Sequence, residues 1–522
     1  MKKRLKATLA VCTVAAMMTG LAACGAETEQ KENQTEDTKK VMNLGSTGYF
    51  ASSTMDPAFD YDGWYMMYNG TTETLFKLDE NIAPQPWLAT SCETTDNINW
   101  TVTLRDNVTF QNGEKMTGEA VKKCFERTFE ENSRAKDQIA IASLEADGQD
   151  LIFHLEKESV ALMNDLCDPL WSVYDSENSD YEENLYCTGP YMITEFEPFA
   201  ETVVEKYDGY WGGEPKLDEA HLITIDDTEA LTMALQSGEI DMAVAMPTSA
   251  ISTFAEDDHF VVDSVVTTRG NYIDFNMERP LMQDDAVRQA IAMSIDRDSI
   301  ASAIYSDMAE PSWGIFPDIV SFGGTEGIDL KISEYDPEGA AKVLEEAGWA
   351  DTDGDGILDK DGQKLELSAI TFSSRKELGQ VLELIQSDMA EMGVSIQVQS
   401  LENFAEIVEQ NDYDMVCNTG VLAPTGNPQY LIDIMLTTGA SNNYANYSDP
   451  KVDELAEQLS GTSGEEERAD LVKQITQIVL DDNSKVVYNH QMFTNVYTKD
   501  VTNFSTHPSE YYLLDVNTDL EK

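Results

Sequence analysis

"YDPEGAAKVLEEAGWADTDGDGILDKDGQKLELSAITF", residues 335–372, runs through a helix, a loop and a strand in succession. Asp336 precedes Pro337, so the aspartate reads as an N-cap and the proline as the first helical residue, where no N–H is needed. Gly348 ends the helix, and "KLELSAITF" (364–372) has the composition of a buried strand. A helix that feeds such a strand is the repeating unit of an α/β protein. The connector carries Asp351, Asp353, Asp355, Asp359 and Asp361 among glycines. Their spacing follows most of an EF-hand loop, but Gly362 stands where that loop requires a bidentate glutamate. No second copy of the loop occurs. The stretch reads as an acidic connector, with weak structural calcium at those five aspartates as the alternative.

The same alternation extends outward in both directions. Toward the N-terminus, "INWTVTLRDNVTF" (98–110) reads as strand, turn, strand. "TGEAVKKCFERTFEE" (117–131) reads as a helix capped by Thr117, because Ala120, Val121, Cys124, Phe125 and Thr128 share one face. Strands are expected at 150–157 and 190–197, and a helix from Thr228 that Gly238 stops. "NYIDFNME" (271–278) opens a second domain, "DDAVRQAIAMSIDRDSIASAIY" (284–305) reads as one long helical stretch, and 485–499 reads as a strand. At 42% hydrophobic residues, the chain can bury the two or three cores that 522 residues imply.

The first residues have another purpose. "MKKRLK" is basic and "ATLAVCTVAAMMTGLAAC" is small and apolar, the layout of a secretory signal. The segment ends in Leu-Ala-Ala-Cys, which resembles a bacterial lipobox, so residues 1–23 are expected to be removed and Cys24 to carry lipid. Residues 24–40 then have no large apolar side chain and read as a solvated tether. The net charge of −62 makes nucleic acid an improbable partner, since binding it requires clustered cations. Five cysteines remain after Cys12 and Cys24, with no CxxC pair, so neither a zinc site nor a disulfide framework is indicated. Cys167 and Cys187 could bridge, though buried thiols are the expectation.

An enzyme should display its chemistry, and none is legible. His154, His221, His259, His490 and His507 lie too far apart for HExxH or zinc-finger spacing. GxSxG, the P-loop and a GxGxxG opening a helix are all absent. Close pairs of acids carry no information in a chain with 96 Asp and Glu. The rival class is a secreted lipoprotein hydrolase with scattered catalytic residues; an adhesion or signalling lipoprotein is a third.

Taken together, "WTVTLRDNVTFQNGEKMTGEAVKKCFER", "CTGPYMITEFEPF", "KYDGYWGGEPKLDEA", "LQSGEIDMA", "DDAVRQAIAMSIDRDSI", "AEPSWGIFP" and the opening stretch resemble the family 5 extracellular solute-binding proteins of ABC importers, the oligopeptide, dipeptide and nickel-chelate class. The stretches run in family order from about residue 43 to the end. The resemblance implies a two-lobed, type II periplasmic-binding-protein-like fold of the cluster of large peptide and nickel binders. Lobe one would take residues 41–269 and 486–522, and lobe two 270–485, with a hinge of two crossing strands near Thr268–Tyr272 and Lys485–Tyr488. It implies no catalysis and no cofactor, a monomer, an oligopeptide or a small metal-chelate as ligand, and an ABC permease with its ATPase as partner.

The resemblance also suggests cleft residues. Trp64, Tyr68 and Trp171 sit in segments whose family counterparts approach the ligand. Tyr430, Tyr444 and Tyr488 would face it from lobe two or the hinge, with Asn427 and Asn443 as polar anchors. Trp87, Trp100 and Trp349 are assigned to core packing. Peptide binders commonly place an acid near 421–428 for the peptide amine, and "VLAPTGNP" has none. A chelate needs cationic clamps for its carboxylates, and Arg134 is the one basic candidate. A metallophore or nickel-specific protein is therefore the alternative ligand reading.

Overall fold

A computed structural model describes residues 39–402 and 404–522. The expected signal segment 1–23, Cys24 and the tether through residue 38 lie outside the described residues. Two long antiparallel strands, Phe260–Phe275 and Lys485–Thr498, form the spine of an eleven-stranded mixed sheet. On one side of this pair stand Met415–Val421, Glu366–Phe372 and Ser395–Leu401, all from the chain inserted between the two long strands. On the other side stand Met242–Ala243, Val41–Ser46, Glu219–Thr224, Glu201–Lys206 and Tyr191–Glu197, and the eleventh strand, Ala309–Pro311, pairs with Lys485–Thr498 off that path. Glu366–Phe372 is parallel to both of its neighbours, and Val41–Ser46 is parallel to both of its own. Parallel neighbours need crossover connections, which the helices Lys376–Glu391 and Thr228–Ser237 supply. A separate four-stranded antiparallel sheet, Ala89–Thr94, Asn99–Leu104, Asp150–Leu155 and Ile141–Asp147, packs under the helix Gly118–Glu131.

The spine is continuous but not regular. Residues 260–266 pair with 498–492, and 270–274 pair with 490–485, with shifts of register between Val266 and Gly270 and between Asn271 and Tyr272. At Gly270 a Cβ would stand 2.5 Å from Leu422 Cδ1, so a larger residue there would displace that side chain. The first five residues of "NYIDFNME", 271–275, are thus the far end of a strand that begins at Phe260, not the start of a separate element.

Local signals form the helices they announce. Thr117 caps Gly118–Glu131 through Ala120 N at 3.2 Å, Asp336 caps Pro337–Glu346 through Gly339 N at 2.8 Å, and Gly238 ends Thr228–Ser237 with φ +74°. The stretch 284–305 departs from expectation. The helix stops at Met293, Asp296 caps a new short helix through Ser299 N at 3.0 Å, and a π-turn follows over Ile300–Ile304. The break falls at Ser294, whose hydroxyl and backbone N–H both donate to the Ala290 carbonyl, at 2.8 and 3.2 Å, before Asp296 caps the next turn. The second strand of 98–110 is also missing, since after Leu104 only Thr109 pairs, with Lys115. Cys92, Cys124, Cys167, Cys187 and Cys417 are free thiols.

Candidate functional site

A cavity of about 510 Å³ opens beside the irregular part of the spine. Arg269 and Tyr272 of the long strand, and Asn418–Val421 of its neighbour, form one side. The chain before Phe260 adds Trp64, Arg134 and Asp168, and the inserted chain adds Tyr430 and Tyr444. The site therefore exists only where two distant parts of the chain meet.

Each polar wall residue is held by its own scaffold. Trp64, on the helix Asp62–Tyr68, donates its indole N–H to the Glu510 carbonyl at 2.6 Å and packs edge-on against Tyr511, with centroids 5.4 Å apart. Arg134 opens the helix Arg134–Gln138, with its guanidinium 4.0 Å from the Tyr61 ring centroid and Nη1 donating to the Asp60 carbonyl at 3.2 Å. Both partners are neutral, so the cation keeps its charge for a ligand. Asp168 caps the turn Pro169–Trp171, accepting from Leu170 N and from Gln138 Nε2, each at 2.9 Å. These donors too are neutral, so a carboxylate faces the cavity with no cation spent on it.

Arg269 is different, because its Nε lies 3.3 Å from Glu510 Oε1. Burial works against the guanidinium charge, but the Glu510 carboxylate beside it prevails and raises the pKa. Tyr49 donates to the other Glu510 oxygen at 3.2 Å, which fixes the pair in place. Burial likewise pushes up the Tyr430 and Tyr444 hydroxyls, so both remain neutral hydrogen-bonding groups at the wall.

Of the residues expected in the cleft, Trp64, Arg134, Tyr430 and Tyr444 line the cavity. Tyr68 does not: it is buried beneath Trp64, with the two rings stacked at 6.2 Å. Trp171 is fully buried, and its indole N–H donates to Gln138 Oε1 at 3.1 Å, so it orients the group that holds Asp168. Asn427 caps the helix Pro428–Leu431 and donates to Asp165 at 3.2 Å, away from the cavity. Asn443 is used up inside its own loop, donating to the Thr437 and Tyr447 carbonyls at 3.0 and 2.8 Å. Tyr488 is buried in the core of the inserted chain with its hydroxyl 3.5 Å from Cys417 Sγ. Trp171, Asn427 and Asn443 spend their polar atoms on protein partners and Tyr68 is buried with its hydroxyl unpaired among the described residues, which sequence position alone does not reveal.

Arg269, Asp168 and Tyr511 were not anticipated. A basic residue inside the strand "TTRGNY", in a chain with only 34 Lys and Arg, was a usable signal for Arg269. The segment 421–428 has no acid, and the acids that line the cavity, Asp60, Asp137 and Asp168, all come from the chain before Phe260.

In the acidic loop, carboxylate oxygens of Asp351, Asp353 and Asp359 lie within 4.8 Å of one another. Asp351 accepts from Gly354 N and Gly356 N, and Asp359 from Thr352. The Lys364 ammonium reaches Asp353 at 3.1 Å and also contacts Asp355. Asp361 adopts φ +54° and stands apart from that group of three. The loop already closes on its own backbone and one lysine.

Residues 83–443 match the model of the bacterial extracellular solute-binding proteins, family 5. The chain is 25% identical to the nickel-binding protein NikA of Staphylococcus aureus over 457 residues, which is 87% of this chain and 90% of that protein. It is 25% identical to the oligopeptide-binding protein AppA of Bacillus subtilis over 512 residues, covering 92% and 93% of the two chains. Its fold superposes on the crystal structure of a nickel ABC transporter protein from Bacillus halodurans with a TM-score of 0.82 and 27% identity, over 92% of this chain and all of the other. The chain belongs to the family 5 bacterial extracellular solute-binding proteins, as a two-lobed substrate-binding component of an ABC transporter.

Proposed function

We propose that the protein captures a small zwitterionic solute, an oligopeptide or an amino-acid chelate of a metal such as nickel, and hands it to an ABC permease and its ATPase. The observation that carries this reading is the mixed charge of one aromatic-walled cavity: Arg134, which has no carboxylate partner among the described residues, is suited to a ligand carboxylate, and Asp168 to an ammonium group. No histidine or cysteine is among the described residues that line it, so a metal would arrive with donors supplied by its chelator. Similarity to NikA supports the chelate, and similarity to AppA supports the peptide. In this reading lobe one spans 41–269 and 486–522, lobe two spans 270–485, and the lobes close on the solute without catalysis. The protein acts as a monomer held at the outer membrane face by lipid on Cys24.

Differential scanning fluorimetry tests the ligand. Di- to pentapeptide pools, and Ni²⁺ with and without L-histidine, are added to the protein. A solute specific to the closed form stabilises it by mass action, about 2.7 kcal/mol at a hundredfold excess over Kd. Stabilisation by peptides alone selects the peptide, and stabilisation by Ni²⁺ only with histidine selects the chelate. A melting temperature indifferent to both overturns the zwitterion reading.

A further inference from the structure

The chain before Phe260 and the inserted chain also meet at a second place, outside the cavity. Asn164 Nδ2 donates to the Thr425 carbonyl at 2.8 Å. Gly426, at φ +67°, lies so close that a Cβ would stand 2.0 Å from the Ile82 carbonyl oxygen. Between these contacts, Asp165 of the helix Leu162–Asp165 is 8% exposed and receives a hydrogen bond from Asn427 Nδ2 at 3.2 Å. Arg468 stops one residue short of it: Nη2 donates to Asn427 Oδ1 at 3.1 Å, and Nη1 to the Leu459 and Thr462 carbonyls. Asp165 is thus a buried carboxyl whose partner on the inserted chain is a neutral amide.

We infer that Asp165, Asn427 and Arg468 form a proton-coupled latch, so that closing the two lobes takes up a proton at Asp165. The inference rests on the two-lobed capture reading. Burying a carboxylate against one neutral donor is costly, and protonation removes that cost. Burial is the main influence and raises the Asp165 pKa to about 7; the Asn427 hydrogen bond lowers it, the Asp168 charge raises it and the Arg468 charge lowers it. The remaining titratable neighbour is the Cys167 thiol, which burial pushes far up and keeps neutral. Separation of the lobes removes Asn427 and admits water, so the open-form value returns toward the ordinary 3.8.

The sign follows from linkage. The closed form has the higher pKa, so closure gains from protonation below about 7 and loses that gain as pH rises through it. The closed-to-open ratio should fall with rising pH across the window between the two values, by at most about tenfold per pH unit.

Small-angle scattering of the full chain without ligand, from pH 5 to pH 8, reads the latch directly. The radius of gyration should increase as pH rises, and Asp165→Asn, nearly isosteric and neutral, should stay compact throughout. Arg468→Met, which removes the cation that opposes protonation, should move the transition to higher pH. A radius independent of pH in the wild type, or an unchanged transition in Asp165→Asn or in Arg468→Met, overturns the latch. Because scattering uses no ligand, failure of the peptide and Ni²⁺–histidine titrations would instead count against the capture reading.

Discussion

Asp274 and Lys485 pair at the root of the spine with 1% and 2% exposure, and the Lys485 ammonium lies 3.8 Å from the centroid of Tyr272, a cavity residue. Burial opposes both charges, raising the Asp274 pKa and lowering that of Lys485. A pair so desolvated is weak evidence of stability, but breaking it strands a charge. Lys485→Met alone should therefore cost about 3–5 kcal/mol in urea unfolding, and Lys485→Met with Asp274→Leu much less. If the double variant is as unstable as the single, the pair is net stabilising and this reasoning fails. Neither residue draws notice in the sequence, because burial of a charge depends on what packs around it. Trp171 illustrates the converse: an aromatic expected to meet ligand instead orients Gln138, and through it Asp168.

Elements with strong local punctuation were legible. The caps at Thr117, Asp336 and Gly238 satisfy backbone groups within a few residues, so no tertiary contact is needed to place them. The stretch 284–305 misled because its apolar period continues while Ser294 and Asp296 interrupt the backbone hydrogen bonding. The acidic loop, read from the sequence as a connector, carries a cation of its own. Lys364, its pKa raised first by Asp355 and then by Asp353, already neutralises part of the cluster. Millimolar Ca²⁺ should therefore leave the melting temperature unchanged. A rise that Asp351→Asn abolishes would make the loop a calcium site.

At the scale of the whole molecule, membrane attachment and the cleft are separate questions. Cys24 follows a stretch with the layout of a lipoprotein signal, so an alkyne fatty acid fed to the producing bacterium should label the protein. Cys24→Ser should lose the label and leave the membrane fraction; an unlabelled wild type overturns lipid anchoring. The sequence by itself determined the α/β class, the capped helices and the family, because periodicity, caps and ordered motifs are local properties of the chain. It did not determine which face of 260–275 meets the cavity: the strand alternation is interrupted between Val266 and Tyr272, and a break in register re-aims every side chain beyond it. Only the tertiary structure brought Arg269 to Glu510, Asp168 into one cavity with Tyr430, and Asp165 to Asn427, residues 241, 262 and 262 apart. Charge, burial and hydrogen bonding at such sites are properties of the assembled surface, and they exist only once distant segments exclude water together.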